Sequence, residues 1–339
     1  MNNTNKMLRI TFIIVIGFAV LSIIACQDGN DQGNTPIITW TYTNTPFSYT
    51  NTPFDSNAIR DITYGAGKFV AVGDCGKMAY SMDGITWIAV TNSPFSDLED
   101  VRAITYGGSK FVAVGINSYS ISSSNKSAYS TDGITWTESG YMSAFTGVVY
   151  DITYGGGKFV AVGHDTAYSV DGQTWMAASN NFFNPYGLIE CVAYGNGKFV
   201  AGGNNGNAKG KIAYSTNGET WIAVTDSIFD NIGVIDNIAY GNGKFVALGG
   251  IVYSDDGVTW TEADTRGSFG IVYGGGKFYS LDREKIKYSV NGVNWTEIAA
   301  DDILGGYAIY AFTYGGGVGS GRLMLGTVGG GIYYSDVLE

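Results

Sequence analysis

Four acids of the chain, Asp83, Asp132, Asp171 and Asp256, each follow Tyr-Ser-x and precede Gly-x-Thr-Trp or its close equivalent. Carboxylates recurring in one fixed setting could act as general acids or bases, and paired carboxylates are what glycoside cleavage requires. In two further copies the same position holds Asn217 and Asn291. Asp and Asn share a different capacity, that of bonding the backbone of their own turn. The position therefore reads as structural, and no catalytic residue is assigned.

A second constellation suits binding better. Counted four residues before a recurrent Tyr, the chain places Arg60, Arg102, Tyr150, Glu190, Asp236, Phe269 and Tyr310. These side chains are large, mostly polar and different in every copy. A ring of that kind could hold a peptide or a glycan. His164 is the one histidine and reads as a solvated loop residue. Cys75 and Cys191 fall in the first and fourth copies, nearly opposite, so a disulfide between them is not expected. One His and three Cys leave no zinc cluster and no disulfide framework, and no metal or cofactor is expected.

The elements that must position these residues follow from an internal repeat. The phrase I-T-Y-G-G-G-K-F-V-A-V-G recurs with its Tyr at Tyr64, Tyr106, Tyr154, Tyr194, Tyr240, Tyr273 and Tyr314. A second phrase, Y-S-x-[D/N]-G-x-T-W or a near variant, follows at 80–87, 129–136, 168–175, 214–221, 253–260 and 288–295. All seven Trp residues occupy one repeat position: Trp40, Trp87, Trp136, Trp175, Trp221, Trp260 and Trp295. Each unit divides into four short strands, A to D, with Gly-rich and Asp-Gly turns between β-rich runs. Radial repetition of four-stranded units of about 40 residues means a β-propeller. The expected fold is all-β: a seven-bladed propeller of four-stranded antiparallel blades over residues 37–339. The seventh unit stops at Tyr334-Ser335-Asp336 without its G-x-T-W, and the orphan Ile38-Thr39-Trp40 supplies that piece. The N-terminal segment is thus expected to complete the last blade and close the ring.

Strand order gives the ring two faces. The A–B and C–D turns share one, here called the bottom, and they barely vary among the repeats. The B–C and D–A connections share the top and vary widely, as in 115–127 or 176–190. Variable loops on a rigid scaffold are where binding usually resides. Lys68, Lys110, Lys158, Lys198, Lys244 and Lys277 hold one position on the bottom, with Arg322 close to the seventh. Two expectations follow: a basic ring facing anionic headgroups, or pairing with the acids of the Asp-Gly turns. The top loops carry Asp97, Glu99, Asp100, Glu190, Asp226, Asp230, Asp236, Asp301 and Asp302.

The second phrase resembles the Asp-box, or BNR repeat, of sialidase-like propellers and of seven-bladed photosystem-assembly-factor propellers. The usual box is S-x-D-x-G-x-T-W, and this chain is one residue shorter between Asp and Gly in all six copies. The resemblance implies a structural turn remote from the ligand face, with each Trp wedged between blades. It also raises a hydrolase alternative, since a sialidase-like site clamps a carboxylate with three arginines, and Arg60, Arg102 and Arg266 could converge. No F-R-I-P stretch accompanies them. The favoured reading is a non-catalytic binding or scaffold propeller that recognises a protein or an extracellular glycan. An assembly factor for a membrane complex is a narrower form of it.

The N-terminus supplies an address. Lys6 and Arg9 precede an apolar run over residues 10–25 that is short for a transmembrane span. The run ends in Ile23-Ile24-Ala25-Cys26, which resembles the lipobox of bacterial lipoproteins. Residues 1–25 then read as a signal peptide, Cys26 as the lipid attachment site, and 26–36 as a flexible tether. The expected location is the cell envelope, with the chain lipid-anchored in an outer membrane or at the cell surface. Residues 1–25 carry two cations and no acid, so the mature chain moves from −11 to near −13. That charge excludes nucleic acid as a partner, because phosphate binding needs a basic surface.

Overall fold

The computed structural model of the chain describes residues 40–43, 57–117, 124–145, 147–179, 187–263, 270–281, 286–298, 308–316 and 321–336. Residues 1–25, Cys26, the tether 26–36, Arg266, Phe269, Asp301, Asp302 and the side chain of Trp40 lie outside that set.

The described strands form seven four-stranded antiparallel sheets arranged as blades of a ring. The innermost strands are Ile59–Gly65, Glu99–Gly107, Val149–Gly155, Ile189–Gly195, Asn237–Gly241, Gly270–Gly274 and Ile309–Gly315. Each adjoins its neighbour around the circuit, the seventh touching the first. The fold is an all-β seven-bladed propeller. Six blades are built from consecutive strands. In the seventh, Trp40–Thr43 is the outermost strand and pairs with Ile332–Asp336, matching Trp40 to Ser335 and Thr43 to Ile332. The ring therefore closes through the N-terminal segment, and the remaining sheet edges are the short outermost strands of the blades.

Hairpin chemistry explains the blade. In the third blade Gly155 pairs with Lys158, leaving Gly156 and Gly157 as a two-residue turn with φ of 55° and 80°. Two positive φ values make a type I′ turn, whose twist matches that of the strands. The second strands are the driest part of the fold. Phe159, Val160, Ala161 and Val162 are each at most 1% exposed, because both faces of the blade are covered by neighbours.

The Asp-Gly turn is a small hydrogen-bond cage. Asp132 Oδ1 accepts from the amides of Ile134 (2.8 Å) and Thr135 (2.7 Å) and from the Ser130 hydroxyl (2.9 Å). Ser130 Oγ in turn accepts from Gly133 N at 2.8 Å. Asp83, Asp171, Asp256, Asn217 and Asn291 repeat the pattern. Burial opposes the Asp132 charge, but the two amides and the Ser130 and Thr135 hydroxyls hold it down to about 2. The Trp that follows packs across the blade boundary. Trp136 lies in one cluster with Val70, Val72 and Met78 of the first blade, and Trp175 in one with Ala103 and Val112 of the second.

The lysines at the base of the second strands are engaged within the fold and do not form an open basic ring. Lys68, Lys110 and Lys198 donate to the main-chain carbonyls of Asp132, Asp171 and Asp256 in the next blade, at 2.6, 2.9 and 2.9 Å. Lys158 reaches Asn217 O at 3.0 Å and pairs with Glu219, and Lys244 pairs with Asp255. The turn carboxylates are taken up by their own amides, so the ammonium groups find carbonyls instead.

Candidate functional site

The innermost strands share an irregularity that the repeat spacing does not reveal. Register shifts fall between Ile59 and Asp61, Val101 and Ala103, Val149 and Asp151, Ile189 and Cys191, and Ile309 and Ala311. The residues skipped are Arg60, Arg102, Tyr150, Glu190 and Tyr310. A β-bulge leaves its extra residue outside the ladder and re-aims the side chain. In the fifth blade Asn237 opens the strand, and Asp236 stands just before it. Each candidate residue is thus held at the top end of an inner strand. Phe269, the sixth-blade equivalent, lies outside the described residues.

These groups interact around the axis. The Arg60 guanidinium is bound by Asp74 through two bonds, Nε to Oδ1 at 2.6 Å and Nη2 to Oδ2 at 3.0 Å. It also lies over the Tyr310 ring, 4.6 Å from the centroid. Burial works against the Arg60 charge, but the hydrogen bond and charge of Asp74 more than offset it and hold the pKa up. Arg102 Nη2 meets Asp100 Oδ2 at 3.3 Å. The other side of the ring is acidic. Burial raises Glu190, with His164 opposing. Burial also raises Asp236 to about 6, and the neighbouring Glu190 charge adds to it. Tyr150 is raised by burial and by Glu190, with Arg102 pulling the other way. Among the described residues no lysine or arginine forms an ion pair with Glu190 or Asp236.

His164 is not an isolated solvated residue. It is exposed, but it stacks on Tyr150 with centroids 5.9 Å apart and planes at 24°. Its Nδ1 accepts from Val148 N at 3.0 Å. It joins the ring through a B–C connection that a lone histidine in sequence gives no reason to place there.

One residue further along the inner strands, Asp61 and Asp151 were missed altogether. Asp61 accepts from its own strand at Ile62 N (2.7 Å) and from the next blade at Ile104 N (2.8 Å). Asp151 does the same with Ile152 N and Val192 N, both at 2.7 Å. Desolvation outweighs these bonds, raising Asp61 to about 6 and Asp151 to about 7, the latter helped by the Asp61 charge. The available signal was the phrase D-I-T-Y-G, written at 61–65 and again at 151–155. Cys191 occupies the equivalent position in the fourth blade, where burial pushes its thiol well up. Neither Cys75 nor Cys191 forms a disulfide.

Several acids of the top loops serve the fold. Glu99 is buried, accepts from Ser96 N at 2.7 Å and meets Lys126 at 3.4 Å. Asp226 caps the short helix Ser227–Asp230 by accepting from Ile228 N. Asp97 and Asp230 stay exposed. Among the described residues no three His, Cys, Asp or Glu side chains converge to hold a metal ion.

No family model matches the chain, and no curated protein matches it. Solved structures do. YCF48 bound to D1 peptide superposes with a TM-score of 0.64 at 16% identity, over 90% of this chain and 98% of that one. The WD40 β-propeller domain of Doa1 gives 0.52 at 14% identity, over 88% and 98%. The computationally designed Ika8 protein gives 0.51 at 10% identity, over 87% and 100%. At these identities the likeness is one of fold.

Proposed function

We propose that the chain is a non-catalytic binding propeller that takes a peptide segment of a partner protein at its top axial mouth. The observation that carries this reading is the ring of bulge-borne side chains, Arg60, Arg102, Tyr150, Glu190 and Tyr310, completed by Asp236. The two arginines are already bound by Asp74 and Asp100, so they act as oriented donors and stacking planes. Glu190 and Asp236 are the acceptors left for an incoming Lys, Arg or backbone N–H group. Tyr150, Tyr310 and His164 offer flat surfaces between the two charge types. That combination suits a peptide with a cationic residue next to an apolar or aromatic one. The fold neighbour that binds a D1 peptide supports the same class of ligand. The bottom turns carry the BNR-like phrase and serve as scaffold in this reading. The chain is held at the cell envelope by lipid on Cys26.

Crosslinking the full chain in its own cells, followed by capture and mass spectrometry, tests the proposal. A stoichiometric protein partner is expected, with capture reduced at least tenfold by Glu190→Gln/Asp236→Asn. Capture unchanged by that variant would move the site elsewhere. Turnover of sialosides or other glycosides by the full chain would replace the proposal with the hydrolase alternative. Cys26→Ser should release the chain from the membrane fraction.

A further inference from the structure

The C–D turn tips on the bottom face are not alike in all blades. Met82 in the first blade, Val170 in the third and Val290 in the sixth occupy the residue between Ser and Asp or Asn, and they are 61%, 60% and 56% exposed. Ile134, just after the turn glycine of the second blade, is 37% exposed. The fourth and fifth blades carry Thr216 and Asp255 between Ser and Asn or Asp, and the fourth has Glu219 after its glycine. Glu219 and Asp255 are ion-paired to Lys158 and Lys244. The exposed apolar tips thus form an arc over blades six, one, two and three, with the seventh blade inside it. The seventh blade is also where the N-terminal segment joins, because Trp40 opens its outermost strand at this same face. In the lipid-anchor reading residues 26–39 connect that point to the lipid on Cys26, a reach of about 50 Å at full stretch.

We infer that this arc of the bottom face rests against a lipid surface, tilting the ring so that blades four and five stand away from it. The inference rests on the lipid-anchor reading above. A tether that starts inside the arc brings the arc to the surface before the opposite rim. The contact is apolar, because Lys68, Lys110, Lys158, Lys198 and Lys244 are held by carbonyls and acids of the fold and Lys277 lies over the Tyr288 ring. Side chains such as Met82 and Val170 would enter the headgroup boundary, the mode by which peripheral proteins bury exposed apolar area. The axial mouth at the top then faces obliquely away from the membrane.

Hydrogen exchange of the full-length lipidated chain, in vesicles of phosphatidylethanolamine and phosphatidylglycerol and in detergent, tests the inference. Peptides covering 80–87, 168–175 and 288–295 should exchange at least threefold more slowly on vesicles, while 214–221 and 253–260 are unchanged. The triple variant Met82→Asp/Val170→Asp/Val290→Asp should lose that slowing while still floating with the vesicles and melting at the same temperature. Flotation without selective slowing would overturn the docking arc and leave the anchor standing. Failure to float would overturn both. Slowing of the same peptides in detergent at rising protein concentration would give the arc to a second copy and overturn the lipid assignment.

Discussion

The phenol ring of Tyr64 lies across Gly315, so close that a Cβ at residue 315 would fall 2.5 Å from the Cβ of Tyr64. Tyr64 belongs to the first blade and Gly315 to the seventh. The same contact runs around the axis: Tyr106 covers Gly65, Tyr154 covers Gly107, Tyr194 covers Gly155, and so on through Tyr314 on Gly274. The Tyr-Gly pair of the repeat is thus a closing device in which each tyrosine needs a bare backbone in the blade before it. Gly315→Ala should cost about 1–3 kcal/mol through overpacking. Urea unfolding measures it, and an unchanged midpoint would mean that the closure tolerates a methyl group there.

The outer half of the closure is the strand Trp40–Thr43. Deleting residues 36–42 strips Ile332–Asp336 of most of its partner and opens a sheet edge. The expected result is a lower melting temperature and concentration-dependent aggregation, read by light scattering during a thermal scan.

Trp136 fills the seam between the first two blades and is 9% exposed. Trp136→Ala should cost roughly 3–5 kcal/mol. Chemical unfolding followed by circular dichroism gives the value, and a loss below about 1 kcal/mol would mean that the seam collapses around the gap.

The Asp-Gly turn accepts either of two residues, since Asn217 and Asn291 make the bonds that Asp132 makes. Asp132→Asn should therefore stay within about 0.5 kcal/mol of the parent, while Asp132→Ala should lose about 1–2 kcal/mol with the orphaned amides. The folded carboxyl sits near 2, below its ordinary value, so its charge stabilises the fold above the unfolded pKa near 3.8. That contribution fades as pH falls through about 2. Acid unfolding should begin at higher pH in Asp132→Ala than in the parent.

Asp151 runs the other way. Its folded pKa of about 7 lies above the unfolded value of 3.8, so the folded state holds a proton that the unfolded state has released. Its contribution is fully present below pH 3.8 and is lost as pH rises through about 7. Asp151→Asn removes this slope. The stability difference between parent and variant, measured by urea unfolding at pH 5 and pH 8, should favour the parent more at pH 5. An identical difference at both values would sink the assignment.

The blade count, the strand order and the exchanged last strand were legible because each rests on a repeat that the chain writes six or seven times. The ring of candidate side chains was legible for the same reason, since a fixed offset from Tyr64, Tyr106 and their equivalents names it. The bulges that aim those side chains were not, because a bulge depends on how two strands count against each other. Asp74, which binds Arg60, lies in a B–C connection, and Asp100, which binds Arg102, lies in an inner strand that starts earlier than its equivalents, features that no repeat encodes. The stacking of His164 on Tyr150 was not foreseen, for the same reason. The lysines were expected to face headgroups or to pair with acids of the Asp-Gly turns; Lys158 and Lys244 do meet acids of those turns, but the carbonyl partners of Lys68, Lys110 and Lys198 were not foreseen. The amides of the Asp-Gly turn take the carboxylates first and leave the carbonyls of the next blade as the nearest acceptors.

The strand that completes the seventh blade is synthesised before any other part of the ring, and its partner, Ile332–Asp336, after every other blade. Six blades can stack as the chain emerges, but Trp40–Thr43 has no strand to pair with until Ile332–Asp336 is available. The first blade meanwhile lacks the neighbour whose Gly315 seats Tyr64. Closure is therefore the latest event that synthesis permits, and it joins segments at opposite ends of the chain. A chain moved across a membrane in extended form would be kept by this topology from locking shut before its last blade had arrived.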